Sequence, residues 1–424
     1  MKRNRRAGVE DRWRKTIIEA DGTKRTVPSA RDGKGLRWMA RYVDSRGIER
    51  TKSFGRKSDA QAWLDDETTG HMTGTWTDPK LSAVTFGVIA EKWFSTKSHR
   101  APKTVAGYRS ILDTVVLPRW ENTALRDIQF EDLQVWISSL SVNGSSRFEG
   151  KGLSPSRVVQ AHQLMGAVFK FAIKAKHLSV NPAAEIELPN KPKIEQRYLS
   201  HEQLHLFAVA AGKFRTLVLV LGYCGLRFGE ATALQAFDIN LKTRRIRVSR
   251  SVTYVRETGL VLGETKNHTS RSVPIPKFLV PLLATEIKGR GSRDLVFPSR
   301  RDGYMTPGEF RWGFDAAVRT VTGAVEAERQ KEIEESGEAE TPEFPVITPH
   351  DLRHTCASLA ISAGANVKVL QTLLGHKTAT LTLDRYGHLY PDDLGRIADA
   401  FDAAADQLRT GRSLRVVPPV GKTS

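Results

Sequence analysis

Residues 348–389 constrain the fold more than any other part of the sequence, because short helical patterns there alternate with glycines and prominent polar side chains. Pro349 is followed by a run that turns apolar from Ala357, and a proline in the first turn before an apolar stripe predicts a helix. Gly375 predicts the end of a second helix over residues 367–374, because glycine readily takes the left-handed conformation that closes helices. We therefore expect short helices separated by glycine breaks.

Four polar side chains of this segment are candidates for one site. Residues three apart share a face of a helix, so His350 and Arg353 are expected to point the same way. His376 lies just beyond the predicted C-terminal end of the second helix, and Tyr386 follows in the next segment. We expect two imidazoles, a guanidinium and a phenol to converge here on one anionic centre.

The composition sets the class of protein. With 424 residues, of which 40% are hydrophobic and 26% charged, the chain is expected to form two or three globular domains. Its net charge of +18 is unusual and suits a polyanion, for which nucleic acid is the first candidate. A basic protein without such a partner is the alternative that charge alone leaves open.

The cysteines and the apolar runs indicate the compartment. The two cysteines, Cys224 and Cys356, each lie in an apolar run and suggest no disulfide framework, as expected in a reducing cytoplasm. No apolar run approaches the roughly 18 residues of a membrane span, and no apolar segment follows the charged N-terminus as in a secretory signal. We expect a cytoplasmic protein without a membrane partner.

The first 60 residues carry 18 Lys and Arg against 8 Asp and Glu, a net charge of +10. Residues 36–42 nearly alternate, residues 44–47 suggest a turn, and residues 48–54 extend again, which predicts two strands. Ser58 is expected to cap a following helix. We predict a small sheet-plus-helix module over 1–75 that lays its strands against DNA; a basic surface around an aromatic core is the alternative. Its candidate DNA contacts are Arg37, Arg41, Arg50 and Lys52.

The middle of the chain is predicted to be an all-helical domain over residues 83–186, bounded by linkers at 69–79 and 188–196. Pro102 and Pro155 mark the starts of two helices. Basic side chains on the polar side of the second helix, Lys170 and Lys174 among them, are candidate DNA contacts.

The last domain, predicted over residues 196–410, is expected to be mixed and mainly α, with a β-hairpin region between 245 and 275. Arg227 follows an apolar helix and a glycine, and Glu230, three residues later, is placed to hold its guanidinium. Lys266 lies at a predicted turn of the β region.

Two further segments of this domain have distinctive composition. Residues 326–343 hold eight acids and two bases and are interpreted as a solvated helical or disordered insertion. A helix is predicted over 392–408, followed by a tail over 411–424 that either docks on a neighbour or is disordered.

Several motifs together resemble the tyrosine recombinases, and their order and spacing agree with that family: Arg227 within GLRFGE, Lys266 at a hairpin turn, HDLRH at 350–354, LGH at 374–376, and Tyr386. The added basic N-terminal module resembles that of phage-type integrases, in which such a module binds separate arm sites. The resemblance covers nearly the whole chain, and the acidic insertion is its main departure. It implies a multidomain α+β fold with an arm-binding domain, a helical core-binding domain and a catalytic domain.

The resemblance implies a site-specific recombinase that cleaves and rejoins DNA through a 3′-phosphotyrosyl intermediate and a Holliday junction. Such an enzyme integrates a mobile element, with excision left open as a second reaction. Tyr386 would be the nucleophile, Arg227 and Arg353 would neutralise the phosphate, and His376 would add a hydrogen bond. His350 would act as a base or orient the phosphate, and Lys266 would protonate the leaving 5′-oxygen.

The implied partners are double-stranded DNA at core-type and arm-type sites and three further copies of the chain. A host DNA-bending protein and an excision factor are additional candidates, and the place of action would be a bacterial cytoplasm. No metal or other cofactor is expected, because two arginines can provide the charge that divalent ions provide elsewhere. The sequence also has no glycine-rich phosphate loop followed by Lys-Ser/Thr.

Three other interpretations compete. His350 and His354 have the i, i+4 spacing of a zinc-protease helix, but no third ligand follows at the usual spacing, so His354 is interpreted as a packing or supporting residue. A type IB-like topoisomerase would use a similar residue set, but the separate basic N-terminal module argues against it. A DNA-binding regulator without catalysis is disfavoured by the complete residue set.

Overall fold

The computed structural model describes residues 7–20, 22–43, 47–73, 79–145, 148, 150–192, 196–265, 270–390 and 394–409. The chain separates into two compact units, Met1–Lys193 and Ile194–Ser424. Both contain helices, and the described strands lie in small sheets of two or three members, which confirms the predicted mixed architecture. In the described ranges, no helix is both long and apolar enough to cross a bilayer.

The N-terminal part of the first unit is a small sheet module. Its elements are β1 Gly8–Asp11, β2 Arg14–Ile18, β3 Lys24–Pro28, β4 Trp38–Val43, β5 Glu49–Phe54 and α1 Lys57–Thr73. The antiparallel sheet has the order β1-β4-β5, and β2 pairs with β3 in a separate hairpin. One face is closed by α1, where Ala40 and Tyr42 of β4 pack with Ala60 and Leu64.

This module confirms the two predicted strands, now β4 and β5, but contains three strands that the sequence did not suggest. All five residues of β2 are exposed, so its sequence lacks the apolar alternation from which strands are recognised. The predicted cap was also wrong. The helix begins at Lys57, and the Ser58 hydroxyl donates to the Asp59 carboxylate inside the first turn. Residues 69–73 of the predicted linker belong to α1, and residues 74–78 lie outside the described residues.

The rest of the first unit is helical. Its helices are α2 Pro79–Ser82, α3 Phe86–Ser95, α4 Pro102–Ile111, α5 Leu117–Trp120, α6 Phe130–Asn143 and α7 Pro155–Lys174, with a π-helical turn at Leu112–Val116 and a 3-10 turn at Leu125–Asp127. Proline opens α4 and α7 as predicted, because its fixed φ suits a first helical turn that needs no N–H. The core lies between α3, α6 and α7 and includes an edge-on Phe86–Phe169 pair with ring centroids 5.4 Å apart.

The second unit is built around one buried helix. Its elements are α8 His201–Ala210, α9 Arg215–Cys224, α10 Phe228–Ala231, β6 Ile239–Asn240, β7 Arg245–Val248, β8 Arg250–Val255, β9 Gly259–Glu264, β10 Arg271–Pro274, α11 Leu279–Ile287, α12 Pro307–Ser336, α13 Asp351–Ser362, α14 Val367–Leu374, α15 Ala379–Tyr386 and α16 Leu394–Arg409. The strands form the sheet β10-β7-β6 and the hairpin β8-β9. Five consecutive residues of α9, from Leu217 to Leu221, are at most 1% exposed. The apolar run of α9 is therefore the centre of the core, against which α8, α11 and α13 pack.

The acidic insertion is helical where it continues α12. That helix ends at Ser336, and Gly337 closes it in the left-handed conformation. The loop that follows folds back on the helix, because the Glu332 carboxylate accepts from the backbone N–H and the hydroxyl of Thr341. The predicted helical interpretation is confirmed for this part of the insertion.

Helix boundaries near the predicted site follow the expected signals closely. Ser200 and Gln203 form a capping box at the start of α8, and Gly375 ends α14 as predicted, with φ of +65°. The helix after Pro349 begins slightly later than predicted, at Asp351. Its carboxylate accepts from the backbone N–H and the hydroxyl of Thr348 at 2.7 and 2.8 Å, so the proline lies in the turn before the helix.

Gly225, which closes α9, is a position where the fold requires glycine. Its φ is +64°, and a Cβ there would lie 2.9 Å from both Cys356 Sγ and Leu374 Cδ2. Gly212 offers a matched control, because its φ is +56° but a Cβ there would meet nothing within 4 Å.

We expect Gly212→Ala to lower the free energy of unfolding by about 1 kcal/mol, from the left-handed backbone alone. Gly225→Ala should lower it by a further ~1–3 kcal/mol, because the added methyl also overpacks the core. Urea unfolding of the two full-length variants would measure the difference. Equal losses would show that the contacts around Gly225 yield without strain.

Candidate active site

Arg227 is presented by a sharp turn between two helices. Gly225 reverses the chain after α9, and Arg227 then stands at the N-cap of α10. Glu230 accepts from the Arg227 backbone N–H at 2.9 Å and from its Nη1 at 2.8 Å. The Arg227 side chain remains 28% exposed. The predicted Arg227–Glu230 pair is therefore formed, and it leaves part of the guanidinium open to a ligand.

A second arginine, Arg271 at the start of β10, holds the other side of Glu230. Its Nη1 and Nη2 donate to the two carboxylate oxygens at 3.0 and 2.7 Å, and its Nε donates to the Leu373 carbonyl at 3.2 Å. Burial of Glu230 would raise its pKa, but the hydrogen bonds and charges of Arg271 and Arg227 outweigh that effect and lower the pKa to about 2. The sequence analysis missed Arg271, which joins the turn at Arg227 to the end of α14.

Arg353, in the first turn of α13, is 3% exposed and bridges two chain reversals. Its Nη1 donates to the Gly225 carbonyl and its Nη2 to the Leu374 carbonyl. A guanidinium has five N–H donors, so these two bonds leave others for a bound anion. Burial, followed by the charge of Arg227, lowers the pKa of Arg353. Among the residues that the structure describes, no carboxylate forms an ion pair with Arg353, so its positive charge adds to that of Arg227.

His376 is fixed by the way α14 ends. Its backbone N–H donates to the Gln371 carbonyl at 3.0 Å across the left-handed Gly375, which is a Schellman-type closure. The ring is 8% exposed, and its Nδ1 lies 2.9 Å from Thr382 Oγ1. Burial and the charges of Arg353 and Arg227 lower its pKa to about 4, so the imidazole is neutral at pH 7.

Tyr386 is the last residue of α15 and is 1% exposed. Its ring stacks parallel to that of His376 with centroids 6.3 Å apart. Its hydroxyl lies 2.8 Å from His354 Nδ1. Burial raises the pKa of Tyr386, whereas the charges of Arg353 and Arg385 oppose that rise.

His350 occupies the N-cap of α13 and contacts His354 edge to face, with ring centroids 5.0 Å apart. The side chain is open to solvent on one side, yet the protein around its other side and the neighbouring charges of His354 and Arg353 lower its pKa. His350 and Arg353 line one cavity of about 510 Å³ together with Phe228 and Phe310. They therefore face a common space, as the sequence predicted.

The structure brings together five of the predicted catalytic residues within one region of the second unit: Arg227, His350, Arg353, His376 and Tyr386. The sixth, Lys266, lies outside the described residues, in the segment between β9 and β10. Because these residues lie close together, the positive charges of Arg227 and Arg353 both act on the pKa of His376 and on the pKa of Tyr386.

The predicted DNA contacts of the first unit have different surroundings. Arg37 donates to both oxygens of Asp11 at 2.9–3.2 Å and lies over two tryptophan rings. Arg41 is within 3.9 Å of Glu10 and 3.8 Å of Glu49. Lys52 is exposed, with its Nζ over the Phe54 ring at 5.4 Å. Arg50 is half-buried on β5, and Lys170 and Lys174 are exposed on α7.

The zinc interpretation receives no support from the arrangement of His350 and His354. Nδ1 of His354 faces the Tyr386 hydroxyl. Within the described ranges, no three His, Cys, Asp or Glu residues are grouped so that they could hold a metal ion.

Glu230→Gln is expected to lower the free energy of unfolding by about 3–5 kcal/mol at pH 7, because two partly buried guanidinium groups lose their buried counter-charge. The pKa of the carboxylate falls from 4.5 unfolded to about 2 folded. Its contribution should therefore be complete above pH 4.5 and decline as the pH falls towards 2. Urea unfolding across this range would measure it, with Glu335→Gln on the exposed face of α12 as the control. If the free energy of unfolding differs between wild type and Glu230→Gln by the same amount at every pH, the lowered pKa of Glu230 is contradicted.

Comparisons with known proteins agree with this site. Residues 197–392 match the phage integrase family. The chain is 27% identical to the prophage phiRv2 integrase of Mycobacterium tuberculosis, over 83% of this chain and 88% of that protein. It is 25% identical to a XerC-like tyrosine recombinase of Caldanaerobacter subterraneus, over 81% and 88% of the two chains. Among solved structures, the Tn1549 transposon integrase shares the fold with a TM-score of 0.60 at 20% identity, over 77% of this chain and 99% of that one.

The matched range contains the arginine turn, α13, the end of α14 and the buried tyrosine, and relatives of similar length carry recombinase and integrase names. Residues 197–392 therefore form a phage integrase domain, and over most of its length the chain is similar to integrases and tyrosine recombinases.

Proposed function

We propose that this tyrosine recombinase is a phage-type integrase that cleaves and rejoins DNA strands through a 3′-phosphotyrosyl intermediate. The observation that carries the proposal is the position of Tyr386, which lies beside His376 and within the field of Arg353 and Arg227. A phenol next to several fixed cationic donors is suited to attack a phosphodiester.

In the proposed cleavage step, the Tyr386 oxygen bonds to phosphorus and the bond from phosphorus to the 5′-oxygen breaks. The free donors of Arg227 and Arg353 bind the non-bridging oxygens, where charge develops, and His376 adds a neutral N–H donor. His350 orients the phosphate from the shared cavity, and Lys266 gives its proton to the departing 5′-oxygen. Each such donor contributes about 3 kcal/mol to stabilisation of the transition state.

The product of that step retains the phosphoester bond, because the phosphate passes from a 5′-oxygen to the tyrosine oxygen. The reverse attack by a 5′-hydroxyl therefore needs no ATP. The two guanidinium groups supply the positive charge that divalent ions supply in other nucleases, so we propose a reaction without a metal.

We propose three functional domains: an arm-type DNA-binding domain over residues 1–75, a core-binding domain over 83–186 and a catalytic domain over 196–410. The separate core of the sheet module and its net charge of +10 over residues 1–60 support the first. Because Asp11 binds Arg37 through both carboxylate oxygens and Arg41 lies near two glutamates, we propose that Lys52 contributes more to arm contacts than either arginine.

The proposed assembly follows from the family. Four copies would bring two duplexes together and pass through a Holliday junction, integrating a mobile element at a core site in a bacterial host cell. A host DNA-bending protein and an excision factor are proposed accessory partners. A complex of the Tn1549 integrase with transposon DNA supports DNA as the ligand of this fold.

Tyr386→Phe should abolish covalent attachment to DNA while binding persists, because it removes one buried hydroxyl and no charge. The substrate is a nicked duplex that spans the junction of the mobile element with host DNA, so that the short leaving strand diffuses away. Incubation in EDTA followed by a denaturing gel should show a protein–DNA adduct for wild type and none for the variant.

An adduct that persists in Tyr386→Phe would move the nucleophile elsewhere. If the wild-type protein binds the duplex tightly but forms no adduct, a regulatory DNA-binding role would replace the proposal. Relaxation of a supercoiled plasmid that lacks the site would instead point to a topoisomerase.

Lys52→Gln should weaken binding to DNA from the ends of the element and reduce its salt dependence by about 0.9 log unit per log unit of salt, if the side chain neutralises one phosphate. Lys331→Gln, on the acidic end of α12, makes the same change of net charge and should leave the slope unchanged. Fluorescence anisotropy at several salt concentrations would compare them. Equal slopes for both variants would remove Lys52 from the interface.

A further inference from the structure

The hydrogen bond between Tyr386 and His354 has no role in the mechanism above. The phenol oxygen lies 2.8 Å from His354 Nδ1, and the two side chains are 1% and 8% exposed. Among the described residues, His354 is thus the hydrogen-bond partner of the proposed nucleophile. A group at this distance from the reacting oxygen is within reach of its proton.

The surroundings of His354 favour a neutral ring whose Nδ1 accepts. Burial lowers the pKa of His354, the nearby charges of Arg385 and Arg353 lower it further, and Asp351 opposes them. The ring edge also meets His350, whose own pKa is lowered. A neutral imidazole carries one ring proton, so with that proton on Nε2 the Nδ1 lone pair faces the phenol. The phenol is then the donor.

We propose that His354 is a catalytic residue that takes the Tyr386 proton during strand cleavage and returns it during rejoining. This inference rests on the proposed function. As the Tyr386 oxygen bonds to phosphorus, its proton moves to His354 Nδ1, and the bond to the 5′-oxygen breaks with a proton from Lys266. In the reverse step the 5′-oxygen bonds to phosphorus and gives its proton to Lys266, while the bond from phosphorus to the tyrosine oxygen breaks and the imidazolium returns its proton to that oxygen. In each direction one reacting oxygen loses a proton and the other gains one.

The pKa values of the phenol and the imidazole require the proton to be transferred while the Tyr386 oxygen attacks phosphorus. A phenol, with an ordinary pKa of about 10, does not lose its proton to a histidine in the resting enzyme. Once its oxygen begins to bond to phosphorus, electron density leaves that oxygen and the proton becomes far more acidic. The neighbouring Arg353 and Arg385, which oppose the rise in the pKa of Tyr386, act in the same direction. A nearby acceptor of low basicity is then sufficient.

The rival explanation is that the bond only holds Tyr386 in its buried position. In that case the contact restrains the nucleophile, and its loss leaves cleavage unchanged or faster. The variant His354→Gln separates the two explanations, because the glutamine amide can hydrogen-bond to the phenol but cannot take up its proton. The pair His201–Tyr223 provides a matched control, because His201 Nδ1 lies 2.9 Å from the Tyr223 hydroxyl outside the site.

The experiment compares wild type, His354→Gln and His201→Gln in single turnovers on the nicked duplex across pH 5–9. The duplex carries sulfur at the 5′-bridging position, which leaves without a proton and removes the contribution of Lys266. The wild-type rate should rise with pH through the lowered pKa of His354 and then level off, since a protonated Nδ1 cannot accept. His354→Gln should be about 10²–10⁴-fold slower at pH 7 and should keep rising into the alkaline range, whereas His201→Gln should match wild type.

A rate for His354→Gln equal to or above that of wild type would overturn the proposal and support the restraining contact. Absence of an adduct with wild type would instead count against the proposed function itself. A second measurement needs no DNA: the ¹⁵N shifts of His354, assigned by their loss in His354→Gln, should show a proton on Nε2 and none on Nδ1. A proton on Nδ1 in the resting protein would also overturn the proposal.

Discussion

The catalytic unit depends on one buried carboxylate between two guanidinium groups. Glu230 accepts four hydrogen bonds, two from Arg227 and two from Arg271, while remaining 1% exposed. Without that negative charge, the arginines would repel each other in a poorly solvated interior. With it, Arg227 is held in place and Arg271 reaches the last turn of α14. The ion pairs of Glu230, which offset the positive charge of the site, therefore also connect the turn at Arg227 to the end of α14.

Helix ends, rather than helix faces, supply most of the site. The C-terminal ends of α9 and α14 each present a carbonyl to Arg353, and a cation at a helix C-terminus also interacts favourably with the helix dipole. The left-handed glycines at these ends, Gly225 and Gly375, let the chain reverse within one residue. His376 follows Gly375 directly, and Arg227 lies two residues after Gly225. Tight closures and buried arginines thus place functional side chains that are far apart in the sequence.

Much of this arrangement could be predicted from local spacing. The pair Arg227–Glu230 is three residues apart, and Gly375 fixes the position of His376, so short-range rules were sufficient. Arg271 could not be recognised because its partner lies 41 residues away and nothing distinguishes it from the other arginines of a basic chain. The bond from His354 to Tyr386 spans 32 residues, and the i, i+4 spacing from His350 suggested a metal pair instead. Contacts between distant segments depend on packing that no local pattern contains.

The ring of Tyr386 belongs to a satellite cluster of five buried residues, separate from the large core around α9. The other four members come from α13 and α14, and Leu373 of α14 packs against both clusters. Parts of a protein held by few apolar contacts open locally at a fraction of the free energy of global unfolding. The segment that carries the nucleophile is therefore held by fewer buried apolar side chains than the helices around α9.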